Sequence, residues 1–258
     1  MFCIKSSLIF SQNFYKIDYD YTDKNNFTCN STLYTNNKEA VCKINDLRAG
    51  GVIDLADGKV DNVDNDEIGR FFYSNNELSY TRAIVYEREV LYSDMFDSKI
   101  NWNIMPEVTS KKSGYNCTKA TITINGRSFT VWFTFDVPVN FGPLKLHKLP
   151  GLIVEVKEDM GFLMLKLKSV SKTKSLVEFN RCKQYFIKSK SVITYDQYEK
   201  KITDAEVNVR VTSQARMKKY NAKNGTDNRL SFEDDVTAMK YLELSSNFLS
   251  EIKKYNGK

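Results

Sequence analysis

A single histidine, four prolines, eleven glycines and no long apolar run bound what this chain of 258 residues can be. One imidazole cannot build a histidine-rich metal centre, and no Cys-x-x-Cys pair is present to replace it, so no metal site is expected. So few prolines and glycines exclude collagen-like or low-complexity sequence, and no repeat recurs at a period of ~20 to 50 residues. No stretch approaches the ~20 apolar residues of a bilayer-spanning helix, so no transmembrane span is expected. The chain also lacks a Gly-x-Ser-x-Gly elbow and a glycine loop that could cradle phosphate, so neither a serine hydrolase motif nor a nucleotide cofactor is indicated. No cofactor is expected, and no catalytic residue is assigned.

What is present describes a soluble, β-rich protein. Hydrophobic residues make up 41% and charged residues 27%, with a mild net charge of +6. At roughly 150 residues per domain the length suits one or two domains. The 16 Phe, 15 Tyr and 2 Trp sit among Thr, Val and Ile in short alternating runs, which is strand chemistry. Such runs predict strands near 14–21, 27–34, 39–44, 68–74, 78–87 and 88–93. An acidic loop, 51–67, separates the third from the fourth. It does not fit a calcium loop, because a register that puts Gly58 at the tight turn would require Ile53 and Leu55 as ligands. A dense β region follows from Trp102 to Phe135, with Asn125-Gly126 as a tight hairpin turn, and 154–157 with 162–170 reads as a further hairpin. A helix is expected over 196–220, capped by Thr194 or Asp196, then a mobile linker at 221–228 and a second helix from about Ser231 to Lys254. The expected fold is mainly β, an antiparallel, strongly curved sheet or bowl-like open barrel with one or two C-terminal helices. Residues 13–190 form the β-rich domain and 191–258 a helical extension packed on it.

Residues 1–12 combine Lys5, a brief apolar run and small residues, and read as a clipped signal peptide or else as an N-terminal strand. Export would leave the mature protein periplasmic, outer-membrane-associated or secreted. Apart from Cys3, the cysteines are Cys29, Cys42, Cys117 and Cys182, an even number that suits an oxidising compartment. Four cysteines allow three connectivities, and Cys29 and Cys42 on adjacent strands favour Cys29–Cys42 with Cys117–Cys182. The alternative is four buried thiols.

Trp102-Asn-Ile, Lys112-Ser-Gly114-Tyr115-Asn-Cys117-Thr-Lys-Ala120, Gly126-Arg127, Val131-Trp132-Phe-Thr134, Val137-Pro138, Gly142-Pro143 and Lys148-Leu149-Pro150-Gly151-Leu152-Ile153 occur in an order and spacing that resemble the GLPGLI family. The resemblance covers about residues 100–158, and Lys148 stands where the signature has its first glycine. It implies an exported protein of double-membraned bacteria, a family whose function is undetermined. The chain is also similar, more distantly, to the bowl-like N-terminal β domain attached to some bacterial peptide:N-glycosidases, which implies an accessory or recognition module. The motif residues have architectural roles in this reading. Gly142-Pro143 and Pro150-Gly151 make sharp turns in which a glycine takes positive φ, and Trp102 and Trp132 suit a β core. Arg127 and Glu155 are charges in apolar strand context that a buried ion pair would reconcile.

Two functions remain open. In the first, the protein is a binding or accessory module of the cell envelope whose concave aromatic β surface takes a peptide, glycan or envelope partner. The alternative is a hydrolase using Asp136, Glu155, Glu158 or Asp159, since His147 is the only imidazole available to a nucleophile. Residues 145–190 hold eleven Lys or Arg against four acids. Export argues against nucleic acid as their partner, and an anionic envelope component such as lipopolysaccharide fits the same charges. The oligomeric state is not assigned.

Overall fold

The computed structural model describes residues 14–22, 28–46, 67–74, 79–85, 88–94, 100–124, 126–159, 161, 163–188, 192–228, 250, 251 and 254. The leader-like segment, the acidic loop up to residue 66 and all but the last turn of the second expected helix lie outside the described residues.

The described chain forms β1 (Phe14–Thr22), β2 (Thr28–Thr35), β3 (Glu39–Asp46), β4 (Glu67–Ser74), β5 (Ser79–Val85), β6 (Arg88–Asp94), β7 (Asn103–Lys112), β8 (Tyr115–Ile124), β9 (Arg127–Thr134), β10 (Leu152–Glu158), β11 (Met164–Thr173), helix α1 (Val177–Lys188), β12 (Val192–Thr194) and helix α2 (Tyr195–Asn224). One sheet takes them in the order β12-β6-β5-β4-β3-β2-β1-β11-β10-β9-β8-β7. All neighbours are antiparallel except β12, which joins β6 in parallel. The sheet is curved but not closed. Its chain-distant pairings are β6 with β12 and β1 with β11, the latter bringing the N-terminal meander beside the Trp102–Val170 region.

Alternation explains the two faces. Ile17, Tyr19 and Tyr21 on β1, Leu33 on β2, Cys42 on β3, Ala120 and Ile122 on β8, Phe129, Val131 and Phe133 on β9, and Val154 and Val156 on β10 all point into one buried cluster. The segment between β9 and β10 fills this inner face, burying Val139, Phe141, Leu144, Leu146 and Leu149. The described aromatics Tyr19, Tyr21, Phe129, Phe133 and Phe141 therefore fill a core. A smaller cluster lies on the opposite face, where α1 sets Phe179 edge-on to Phe14 with ring centroids 4.9 Å apart and Phe186 against Phe72 at 5.9 Å. Helix α1 falls in the stretch read above as part of the β domain. Its buried residues among the described side chains, Phe179 and Phe186, are seven positions apart, two turns of helix, and so share one face.

Helix α2 starts where expected. Thr194 caps it, accepting from the Gln197 amide while the Gln197 side chain accepts from the Thr194 amide. It runs on through Asn224 to a left-handed Gly225, so the first half of the expected linker is helix. The remainder is tied back by Asn221, whose side chain accepts from Thr226 Oγ1 and from the Asn228 amide. The buried residues of α2 are Tyr198, stacked on Tyr92 at 4.2 Å, Ile202 and, farther along, Arg210. None of the described helices is long and apolar enough to cross a membrane.

Cys29, Cys42 and Cys117 carry thiols. Cys29 faces Asp46 and Cys42 faces Leu33 across the β2–β3 ladder, so the two are four residues out of register. At ~3.4 Å per residue that is about 13 Å, beyond the roughly 7 Å a disulfide can span. The Cys42 thiol is instead 3.2 Å from Ser31 Oγ and accepts from the Leu144 amide at 3.4 Å. Cys117 is a buried thiol that contacts the Tyr115 carbonyl at 3.6 Å, and burial raises its pKa. Neither expected bridge, Cys29–Cys42 or Cys117–Cys182, is formed, and the cysteines therefore lend no support to export.

Candidate functional site

The motif-bearing segment 137–153 is a plug, and its side chains converge on His147. The His147 imidazole has its Nδ1 2.7 Å from the Lys145 carbonyl, an acceptor, so Nδ1 carries the proton and Nε2 accepts from the Tyr73 hydroxyl at 2.5 Å. Trp102 Nε1 donates to the His147 carbonyl at 2.6 Å. Lys145, 4% exposed, donates to Tyr92 Oη at 2.8 Å with its ammonium 4.5 Å from that ring centroid. Tyr19 Oη donates to the Ile153 carbonyl at 2.9 Å, and burial, reinforced by the nearby Cys42 thiol, pushes its pKa well up, so it stays a donor. Beside His147 lies a cavity of about 10 Å³ lined by Leu33, Cys42, Tyr73, Phe141 and Leu146, about the room of one water. This centre ties β4, β6 and the plug together.

The turn residues differ from expectation. Within the plug the positive-φ positions are Leu144 at 59° and Lys148 at 69°, and neither Gly142 nor Gly151 is among them. The two glycines are required by space: a Cβ on Gly151 would lie 2.0 Å from the Thr134 carbonyl oxygen, and one on Gly142 would lie 2.4 Å from Ile153 Cδ1 and 2.9 Å from the Leu146 oxygen. Lys148, where the signature has glycine, holds a left-handed conformation that a Cβ disfavours by about 1–2 kcal/mol. Lys148→Gly should therefore raise the melting temperature by about 2–4 °C, with part of the gain offset by unfolded-chain entropy. A lower melting temperature would show that the lysine side chain contributes more than the backbone strain costs.

Arg127 does not pair with Glu155. Its guanidinium is 2.8 Å from Glu158, with the two side chains 4% and 1% exposed. Arg127, Phe129, Val131 and Phe133 share the inner parity of β9, as Val154, Val156 and Glu158 share that of β10, and Glu155 is on the other face. There Glu155 meets Lys112 at 3.2 Å, and Lys112 extends 5.3 Å from the Trp132 ring centroid. Trp132 is thus half-buried with a lysine over its ring, and both it and Trp102 pack against the core.

The other motif residues are placed as follows. Gly114 turns β7 into β8 at φ 85° and Gly126 turns β8 into β9 at φ 77°. Tyr115 packs on the core, and Ala120, Leu149, Leu152 and Ile153 are within it. The Pro138 carbonyl accepts from Asn37 Nδ2 at 2.6 Å, which fixes the start of the plug before Gly142-Pro143, and Leu152 after Pro150 donates to the Val137 carbonyl at 3.0 Å. Tyr73 and Tyr92, the partners of His147 and Lys145, carried no signal in the sequence. Glu158 did, through the alternation of its strand. Among the described residues no group of three or more His, Cys, Asp or Glu is arranged to hold a metal.

An open, curved antiparallel sheet plugged by its own β9–β10 connection defines a β-rich, bowl-like domain. The family described as "N-glycanase peptide, N-terminal domain" matches residues 68–197, half of the chain, and the chain belongs to that family. A solved structure of PNGF-II in a P21 space group is similar at 19% identity and a TM-score of 0.50, over 75% of this chain and 34% of that one. A C2 form of PNGF-II gives 19% identity, a TM-score of 0.49 and coverage of 70% and 31%. An uncharacterised conserved protein from Thermus thermophilus follows at 9% identity and a TM-score of 0.38, over 72% of this chain and 91% of that one. The chain thus spans about a third of the length of PNGF-II, and the likeness is one of fold. No curated protein matches it in sequence.

Proposed function

We infer that this protein is an accessory recognition module of the cell envelope that binds a peptide, glycan or envelope partner. The observation that carries this reading is the match of residues 68–197 to an N-glycanase N-terminal domain. The use of the motif segment agrees with it: both ring nitrogens of His147 are engaged, by the Lys145 carbonyl and the Tyr73 hydroxyl, and Glu158 is held by Arg127. The resemblance of Lys148–Ile153 and its surroundings to the GLPGLI signature, and the leader-like residues 1–12, support export to the periplasm, the outer membrane or the medium.

The test uses the whole chain. It is screened for saturable binding against arrays of oligosaccharides and extended peptides, and in parallel incubated with a denatured N-glycosylated protein whose glycans are followed by mass spectrometry. Binding with intact glycans is expected. Turnover that Glu155→Gln or Asp136→Asn abolishes would replace this reading with the hydrolase.

A further inference from the structure

The geometry points to an anionic polysaccharide as the ligand class, bound on the outer face of β8–β11, an inference that rests on the accessory-module reading above. That face is polar and lysine-rich. Register places Lys119 (β8), Trp132 (β9), Glu155 (β10), Lys166 (β11) and Asp20 (β1) in one row across the sheet, with Thr121, Thr130, Lys157, Met164 and Thr22 in the next.

The acids in these rows are already matched. Glu155 pairs with Lys112 at 3.2 Å, and Asp20 with Lys168 at 3.2 Å. Lys119, Lys157 and Lys166 have no ion-pair partner among the described residues. Strand spacing and residue rise put Lys157 about 8 Å from Lys166 and about 12 Å from Lys119. The three lysines thus stand at the corners of a triangle on a face whose row carboxylates are already paired with other lysines. Helix α1 covers the β3–β4 end of this side, and no described helix packs on β8–β11.

The chemistry selects among polyanions. Arginine, the residue for bidentate phosphate recognition, is absent from the described part of this face, and the lysines are mobile point charges suited to scattered sulfate or carboxylate groups. Trp132, the aromatic in the row, lies under Lys112, which leaves no open ring for a nucleobase to stack on. Thr121, Thr130 and, beyond them, Thr123 and Ser128 add hydroxyls that exchange hydrogen bonds with sugar hydroxyls.

The test titrates the full chain with heparin as the anionic polysaccharide, neutral dextran as its uncharged counterpart, and single-stranded DNA of matched charge. Heparin is expected to bind, more weakly as salt rises, and dextran is not. Lys119→Glu, Lys157→Glu and Lys166→Glu together should weaken heparin at least tenfold with an unchanged melting temperature. The same reversal at Lys218, Lys219 and Lys223, exposed on α2, should leave it within twofold. The inference is overturned by absence of heparin binding at low salt, by equal loss from the α2 reversals, or by tighter binding of the DNA. None of these removes the accessory-module reading, which falls on turnover in the assay above.

Discussion

Gly151→Ala is expected to destabilise the protein by about 3 kcal/mol or more, at the upper end of what overpacking costs and outside the range of ordinary surface changes. The added methyl would sit 2.0 Å from the Thr134 carbonyl oxygen and 2.8 Å from its carbonyl carbon, both backbone atoms of the last residue of β9. Backbone cannot step aside as a side chain can, so the β9–β10 junction must open, and with it the hydrogen bond from the Leu152 amide to the Val137 carbonyl. Gly142→Ala should cost less, because its closest neighbour is the flexible end of Ile153. Gly114→Ala should cost about 1 kcal/mol, since nothing lies within 4 Å of the new methyl and only the positive φ of 85° opposes it. Denaturant melts of the three variants would check the ranking. If Gly114→Ala proved the worst, backbone conformation and not space would govern the signature.

The second large effect concerns Arg127 and Glu158. Removing either partner alone, as Arg127→Met or Glu158→Leu, leaves a charge in the core and is expected to cost about 3–5 kcal/mol. The double variant, which leaves no charge behind, should be more stable than either single. A double-mutant cycle therefore should give strong non-additivity, while the same cycle on Lys112 and Glu155, whose side chains are 30% and 19% exposed, should give about 1 kcal/mol or less. Additive losses at Arg127 and Glu158 would mean that the two charges do not interact, and would return Glu158 to the candidates for a hydrolytic carboxylate.

The strands were legible because their information is local. Period-two alternation of aromatic and β-branched residues marked most of them to within two or three residues, though not β12, Asn125-Gly126 marked the β8–β9 turn, and Thr194 marked the start of α2. The same alternation placed Glu158, not Glu155, on the parity of Val154 and Val156. The Arg127 pairing was therefore also written in the chain, and the expectation of Glu155 put weight on motif position over parity. Helix α1 was not read from the sequence, and among its described side chains Phe179 and Phe186, two turns apart, lie on its buried face.

What only the tertiary structure decided are the matters that depend on which distant segments meet. Tyr73 reaches His147 across 74 positions and Tyr19 reaches Ile153 across 134, and no local pattern encodes either contact. Register decided the cysteines, since a hairpin that puts two thiols on neighbouring strands bridges them only if they also face each other, and here they are four residues apart. Space decided the glycines. A chain with a glycine at a corner shows that a Cβ is unwelcome there, but whether backbone twist or an approaching carbonyl excludes it depends on the three-dimensional packing, which at Gly151 sets Thr134 against the turn.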